Sequence, residues 1–480
     1  MTAGQPSANA ITGPKGPVLF ALLAFLLVFA PLIRGGNRPM PLLVMEVAAL
    51  LGLAAWAWGR PARQWRLAIP ASAAWGIGLL LVAPLLQLVP LPASWWAAMP
   101  GHGPYAQVLG FAGDAAGAMR PASMHPRATE YSWLVMWPCL AVFVLTLAQS
   151  RSGIRRLAVI FVLVAVVQAI LGILQLGIDP GSPLHFGNPW AAATASGTYV
   201  NKNHFAALMA MGLAMVVSLW ALELVPRYGH GHRRHRHGEA HASEEPARTH
   251  PRLADRQLAL NIVHAVAVLL LVVALVFSGS RAGIAAGLFA FSLASLALVW
   301  RPASMPARVA FGASAAAALL FAAYIGLTPV LDRFAPDQLA LGYEGRIRIS
   351  EAALRAGLDF LPFGSGLGTF ADVFRRYQVE GLPGFVDHAH NDYAELFVEL
   401  GVAGIAAAAL LLVAYGTRWA QILRGWPLRS LGYLQVGAGL GMLAMLIHGA
   451  FDFNFHIPAN ALYFSFLAGV FFFTPREDRE

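Results

Sequence analysis

Residues 387–404 read DHAHNDYAELFVELGVAG, and they place a polar cluster directly before an apolar helix. The cluster combines two imidazoles and two carboxylates in a chain that is otherwise poor in charge. Ionisable groups at a membrane boundary are costly to keep unless they have a use. We therefore interpret this stretch as the functional site and the rest of the chain as the framework that holds it.

The composition of the whole chain is that of a membrane protein. Its 480 residues are 58% hydrophobic and only 12% charged, and a soluble domain carries about twice that charged fraction. The net charge of +9 comes from cations that flank apolar segments instead of forming one face, which argues against a nucleic-acid partner. The single cysteine excludes an intramolecular disulfide.

Apolar segments recur from end to end and predict an all-α polytopic membrane protein with about twelve transmembrane helices. Most of the 33 Lys and Arg residues lie in the loops on the side of the two termini. The positive-inside rule therefore places both termini in the cytoplasm and residues 387–404 on the outer face. The predicted spans are residues 17–33, 41–59, 68–92, 130–149, 155–178, 203–225, 257–278, 282–300, 308–328, 392–416, 431–450 and 456–474.

These spans divide the chain into three regions. Residues 1–328 hold spans one to nine and include a His- and Arg-rich cytoplasmic loop at 226–256. The histidine spacing in that loop fits no closed metal site, so a solvated loop is favoured over a metal site. Residues 329–391 form a large, partly helical outer loop, and long ordered loops are usually functional. Residues 392–480 hold the last three spans.

Two cationic residues lie at the outer ends of predicted spans. Lys202 and Asn203 begin span six, where an ammonium beside free helix N–H groups suits an anion; an interfacial lysine anchor is the alternative. The turn that holds Arg281 is too short to extend away from the membrane, so Arg281 is expected at the outer membrane interface. There a guanidinium binds either a phosphate or a lipid headgroup.

The large outer loop adds two further candidates. An amphipathic helix is expected over 343–358, with Arg346 and Arg348 in its first turns. A sharp turn over Pro362–Gly368 and a short helix over 370–380 are expected to follow. In the last outer turn, His448, Asp452 and His456 are expected to pair with each other between the last two spans, with a supporting role beside the site as the alternative.

Four of these segments, in the expected order, resemble the bacterial O-antigen ligase and O-antigen polymerase superfamily, which includes the O-linked oligosaccharyltransferases. His390-Asn391 followed after nine residues by Gly401-Val402-Ala403-Gly404 carries the main resemblance. The others are the segment 197–205, Ser280-Arg281-Ala282-Gly283, and an arginine ahead of the Gly-rich turn, which favours Arg346 over Arg348. The resemblance implies a GT-C-like, lipid-linked glycosyltransferase in the bacterial inner membrane.

Members of that superfamily move a glycan from a polyprenyl diphosphate to an acceptor hydroxyl on the outer face, without a metal ion or other cofactor. Imidazole titrates near neutral pH, so His390 is the candidate catalytic residue, as base or as orienter. Asn391 or Asp392 is expected to fix its tautomer, with His388 and Asn203 as further supporting residues. Arg281, Arg346, Lys202 and Arg348 are the candidates for binding the diphosphate.

The motifs do not distinguish three acceptors, namely a lipid A core, a second lipid-linked repeat and a protein hydroxyl. The enzymes that use these acceptors share their fold and bind the donor in the same way. The lack of an extra soluble acceptor-binding domain favours a ligase or polymerase of a surface polysaccharide. A twelve-helix secondary transporter of the major facilitator type is the main alternative. Two features argue against a transporter. The outer loop at 329–391 has no counterpart in the first half of the chain, and charged residues near the middle of the membrane are scarce. A non-catalytic scaffold of an export machine is the third possibility.

Overall fold

A computed structural model describes residues 15–58, 67–111, 118–179, 181–188, 194–224, 251–299, 312, 336–378, 384–425, 428 and 430–474. Within these residues the chain is almost entirely helical. Labelled in chain order, the helices are α1 (Lys15–Phe29), α2 (Pro39–Ala57), α3 (Ala71–Gln87), α4 (Ala93–Ala98), α5 (Gly103–Phe111), α6 (Pro126–Leu147), α7 (Arg151–Gln175), α8 (Lys202–Leu224), α9 (Pro251–Phe277), α10 (Arg281–Val299), α11 (Pro336–Asp359), α12 (Phe370–Phe374), α13 (Asp392–Arg424), α14 (Ser430–Gly449) and α15 (Pro458–Phe472).

Short elements complete the described chain. Single 3-10 turns lie at Arg34–Gly36, Pro183–His185, Arg375–Tyr377 and Asn454–His456. A two-stranded antiparallel ladder pairs β1 (Pro90–Pro92) with β2 (Met119–Pro121), with Leu91 opposite Arg120. Because each strand has three residues, the ladder only ties together the two ends of the segment that holds α4 and α5.

The helices agree with the predicted membrane protein. Among the described residues, seven helices are long and apolar enough to cross a membrane, namely α2, α6, α7, α8, α9, α13 and α14. Shorter apolar helices α1, α3, α10 and α15 lie where four further spans are predicted. The ninth predicted span, 308–328, is almost entirely outside the described residues, as are 226–250 of the cytoplasmic loop. The count of twelve therefore stays a prediction.

Helix α8 lies at the centre of the bundle. Its side chains are buried continuously from Asn203 to Ala221, and it packs against α9, α10 and α14. Small residues allow this close packing: a Cβ added to Gly212 would lie 2.9 Å from the Cβ of Ala165 on α7. The polar first turn of α8 is thereby held among other helices instead of facing open solvent.

Helix α13 is kinked at Gly401, where φ is 54° and ψ is −132°, and the Gly-rich turn of the outer loop docks on the kink. Ser365 N donates to Val398 O at 2.9 Å, and Val402 N donates to Pro362 O at 3.0 Å. These bonds satisfy backbone groups that the kink releases. A Cβ on Gly401 would lie 2.4 Å from Pro362 O, so the turn and the helix form one unit.

The outer-loop elements differ from prediction mainly in length. The predicted helix over 343–358 lies within the longer α11, Pro336–Asp359. The predicted helix over 370–380 is shorter than expected, since it consists of α12, Phe370–Phe374, and one 3-10 turn, Arg375–Tyr377. Residues 379–383 are outside the described residues.

Candidate active site

The turn before α13 holds His390 in a constrained backbone conformation. Its φ is 49°, in the left-handed region, which costs a residue with a side chain about 1–2 kcal/mol. The next residue, Asn391, caps α13, since its Oδ1 accepts hydrogen bonds from Tyr393 N and Ala394 N, both at 3.1 Å. Backbone strain persists where the surrounding contacts fix it, and such positions cluster at functional sites.

Asp452 is the partner of His390. It lies in the turn between α14 and α15, its side chain is fully buried, and its Oδ1 is 3.4 Å from His390 Nδ1. Its Oδ2 accepts a hydrogen bond from Asn203 Nδ2 and lies 3.8 Å from an Arg346 guanidinium nitrogen. A second nitrogen of Arg346 donates to Phe451 O at 2.7 Å. Four separate segments of the chain therefore meet at one carboxylate.

This carboxylate is an anion throughout the physiological pH range. Burial by itself raises the pKa of Asp452, but the hydrogen bond from His390 and the nearby positive charge, including that of Arg346, hold the pKa well below its usual range. An ionised carboxylate only accepts hydrogen bonds. In the neutral form of the ring, His390 Nδ1 therefore carries the proton and Nε2 keeps the lone pair. With 27% of the side chain exposed, Nε2 is suited to accept a proton from a bound substrate.

The residues expected to fix the tautomer of His390 have other contacts. The Asn391 side chain is committed to capping α13. Asp392 is buried, and it accepts hydrogen bonds from His456 Nδ1 at 3.0 Å and from Phe455 N at 3.3 Å. Asp452 takes the expected role because the turn that carries it folds back onto the start of α13, where Asp392 N donates to Asp452 O at 3.2 Å.

A second polar network lies beside the first and is centred on Glu395, which is 1% exposed. Its Oε1 accepts from His388 Nδ1 at 2.8 Å and lies 3.2 Å from His456 Nε2. Burial by itself lowers the pKa of His456, but the carboxylates of Glu395 and Asp392 raise it to about 10. The ring of Phe453 connects the two networks: it stacks on His388 at 4.1 Å and meets the His390 ring at 5.2 Å, measured between ring centroids.

The second network also contains the single group of three side chains, among the residues that the structure describes, that could hold a metal ion. One ligand atom from each of His388, Glu395 and His456 lies within 4.8 Å of the others. Two imidazoles and a carboxylate are ligands that zinc accepts, and the second nitrogen of His456 bonds to Asp392 in the manner of metal-bound histidines. The same atoms also satisfy each other without an ion. The prediction of a metal-independent reaction stays a prediction.

The other candidate cations lie at the same end of the bundle. Lys202 directly precedes Asn203, the residue that bonds Asp452. Arg281 is the first residue of α10, and two residues later a Cβ added to Gly283 would lie 3.1 Å from the His448 ring of α14. Arg348 is on α11, half buried, two residues beyond Arg346. Arg346 contacts the His390–Asp452 pair directly, because its guanidinium lies 3.8 Å from Asp452 Oδ2.

Sequence reasoning placed Asp452 and His456 in structural pairing between the last two spans, and it passed over Glu395. The signal for the first two is the polar turn HGAFDFNFH at 448–456, which joins two apolar spans just as the cluster at 387–392 precedes one. The signal for Glu395 is an acid within the first turns of an otherwise apolar helix, which is costly unless it has partners.

Comparison with known proteins supports the resemblance found in the motifs. A family model described as O-antigen ligase matches residues 266–409. The matched segment includes Arg281, Arg346 and His390, whereas Asn203 and Asp452 lie outside it. A search of curated proteins finds no match to the chain. The family match confirms the resemblance to the O-antigen ligase and polymerase superfamily, and with the apolar helices it indicates a multi-pass inner-membrane protein of the glycosyltransferase type.

Proposed function

We propose that the protein transfers a glycan from a polyprenyl diphosphate carrier to an acceptor hydroxyl at the periplasmic face of the inner membrane. The observation that carries this proposal is the His390–Asp452 pair with Arg346 on the same carboxylate. It combines a proton acceptor and a phosphate-binding cation within one small site. The family match to residues 266–409 supports the same reaction class, and no observation on the described residues favours a secondary transporter.

In the proposed reaction, His390 Nε2 takes the proton of the acceptor hydroxyl while the hydroxyl oxygen attacks the anomeric carbon. Asp452 stabilises the imidazolium that results, because its carboxylate faces Nδ1. The distance of 3.4 Å is long for a hydrogen bond, but such contacts often tighten only when substrate is bound. The bond from the anomeric carbon to the phosphate oxygen breaks, and its electron pair leaves with the diphosphate. In-line displacement inverts the anomeric centre.

The leaving diphosphate gains negative charge, which the cations at this end of the bundle would neutralise in place of a divalent metal. A guanidinium has five N–H donors, and among the described residues Arg346 donates one of them, to Phe451 O. Its side chain is 36% exposed, so further donors are available to phosphate oxygens. Arg281 is proposed as the second diphosphate ligand, with Lys202 and Arg348 as further candidates. An apolar groove between spans would hold the polyprenyl tail.

For the acceptor we propose a lipid A core or a second lipid-linked repeat, which makes the protein a ligase or polymerase of a surface polysaccharide. Both acceptors present a hydroxyl at the membrane surface, where His390 would lie if residues 387–404 face the periplasm. A Ser or Thr of a protein would serve the same chemistry. The reaction product distinguishes the three.

The test is a transfer assay in proteoliposomes with a polyprenyl diphosphate-linked oligosaccharide, in the presence of EDTA. We expect turnover by the wild type and loss of at least about 100-fold in His390→Ala, as for removal of a positioned acid–base group. Arg281→Ala is expected to fail as well. Arg256→Ala, near the start of α9, and His264→Ala, at the middle of the same helix, are the matched controls.

Full activity of a folded His390→Ala variant would make the 387–404 stretch structural and the mechanism wrong. A requirement for added Mg²⁺ would contradict the role given to the arginines. Failure of the wild type with every acceptor class, combined with tight binding of the donor, would move the scaffold alternative to the front.

A further inference from the structure

We propose that Glu395 is a positioning residue for His390, whose buried carboxylate holds the turn that presents the imidazole, with a protonated His456 as its counter-charge. The part of this inference that concerns turnover rests on the proposed function. The part that concerns the turn and its charges stands on the contacts of Glu395 alone.

Glu395 bonds to both residues that immediately precede His390. It lies on the first turns of α13, and its Oε2 accepts a hydrogen bond from Ala389 N at 2.9 Å. Its Oε1 accepts from His388 Nδ1 at 2.8 Å. On the other side of His390, the Asn391 side chain caps α13. The left-handed backbone of His390 is therefore fixed between two anchors that both belong to the start of the same helix.

The charge of Glu395 is balanced by His456. Glu395 is 1% exposed and Asp392 is 6% exposed, and ionised carboxylates buried to this degree require a cation. His456 lies between them, with Nε2 at 3.2 Å from Glu395 Oε1 and Nδ1 at 3.0 Å from Asp392 Oδ1. Because both ring nitrogens face carboxylate oxygens, both carry a proton, and the ring is an imidazolium. One cation thus holds two carboxylates of α13 in place.

Glu395 acts on His390 through the backbone. Its hydrogen bonds go to His388 and Ala389 and its ion pair to His456, whereas the His390 ring is paired with Asp452. Loss of the Glu395 carboxylate therefore leaves the base and its partner chemically intact and changes where the ring lies. A misplacement of about 1 Å in a catalytic group costs about 100-fold in rate, and such a defect lowers kcat more than donor binding.

The test compares Glu395→Gln with the wild type in the same proteoliposomes. A glutamine has one acceptor oxygen and an NH2 group that only donates, so it cannot accept from Ala389 N, His388 and His456 together. We expect kcat to fall about 10- to 100-fold with donor KM changed by less than about 3-fold, as for a positioning defect. Amide hydrogen exchange of residues 387–391, read by mass spectrometry, is expected to become faster. His456→Gln, which keeps the carboxylate but removes the cation, is expected to change both quantities in the same direction.

Glu351→Gln, an exposed substitution on α11, is the matched control and is expected to change neither quantity. Wild-type kcat in a folded Glu395→Gln variant, or unchanged exchange at 387–391, would overturn the positioning role. Stoichiometric metal in the wild type that is lost in Glu395→Gln would overturn the protonated His456 and make these side chains metal ligands. If the wild type transfers no glycan at all, the proposed function fails, while the exchange comparison still decides whether Glu395 holds the turn.

Discussion

The substitution Asp452→Asn tests the orientation of His390 most directly, because an asparagine keeps the shape of the side chain and removes its charge. Asp452 presents Oδ1 to His390, and Oδ2 to Asn203 and Arg346. An asparagine has one oxygen to offer. Donors lie on both sides of the side chain, since Phe453 N also bonds Oδ1, at 2.9 Å. In the variant, His390 Nδ1 therefore faces either an NH2 group, which favours the tautomer that carries the proton on Nε2, or a neutral amide oxygen in place of a carboxylate.

The productive tautomer of His390 then loses a hydrogen bond to a charged acceptor, which is worth about 1.5–3 kcal/mol. At about 1.4 kcal/mol for each tenfold change, this corresponds to a fall in kcat of about 10- to 150-fold. Single-turnover transfer in proteoliposomes measures it, with thermal unfolding in detergent as the check on folding. Asp372→Asn is the matched control, since Asp372 also bonds a histidine, His125, at 2.6 Å, but at an exposed position.

We expect Asp372→Asn to stay within about 3-fold of the wild type, as surface pairs contribute little. If a folded Asp452→Asn variant is equally active, His390 does not depend on Asp452 for its tautomer, and the assignment of Nε2 as the proton acceptor is refuted. A second signature follows from the depressed pKa of Asp452. Its charged contacts stabilise the wild type above the usual aspartate pKa and are lost only as pH falls through the lower, folded value, so Asp452→Asn should show a weaker dependence of stability on acid.

The remaining predictions concern other parts of the molecule. Since the pKa of His456 is raised to about 10, its contribution to stability is complete below its ordinary pKa and is lost as pH rises through about 10; the Tm in detergent should fall over that range, and less so in His456→Gln. Gly401→Ala places a Cβ 2.4 Å from Pro362 O at a positive φ and should lower the free energy of unfolding by more than about 1 kcal/mol. The control is Gly416→Ala in the same helix, whose Cβ meets nothing within 4 Å and which should raise the free energy of unfolding by about 0.5–1 kcal/mol. Equal Tm values of the two variants would contradict the docking of the turn. Arg281→Lys should fail to restore the activity lost in Arg281→Ala, because a lysine lacks the bidentate fork, and full rescue would reduce Arg281 to a point charge. Proton NMR of the product linkage should show inversion at the anomeric carbon, and retention would exclude single displacement.

The sequence was sufficient for the helical membrane framework and for the segment that carries His390. Apolar runs of about 20 residues have few alternatives to a spanning helix, which is why α7 and α8 lie close to their predicted spans. The cluster at 387–392 was visible because its charges interrupt an apolar chain. Arg346 was favoured by the resemblance to the superfamily, in which an arginine precedes a Gly-rich turn, and the structure gives it a defined contact with Asp452.

The partners within the site were not predictable in the same way. His390 and Asp452 are separated by 62 residues, and Asn203 and Asp452 by 249, so their contacts depend on how helices pack and not on local spacing. Asn391 and Asp392 were nearer in sequence to His390 and were favoured for that reason. Asn391 is excluded because a residue that caps a helix directs its side chain at the helix N–H groups. Asp392 is excluded because its carboxylate bonds His456 and Phe455 N.

The convergence of four segments on Asp452 has a consequence for biosynthesis. Polypeptides emerge from the ribosome N-terminus first, and the turn that carries Asp452 follows α14, after every other contributor to the His390 pair has been made. A nascent chain that already contains Asn203, Arg346 and His390 still lacks the carboxylate that orients the imidazole. Under the proposed function, activity would appear only after that last turn has folded back, so an unfinished chain in the membrane would not consume donor.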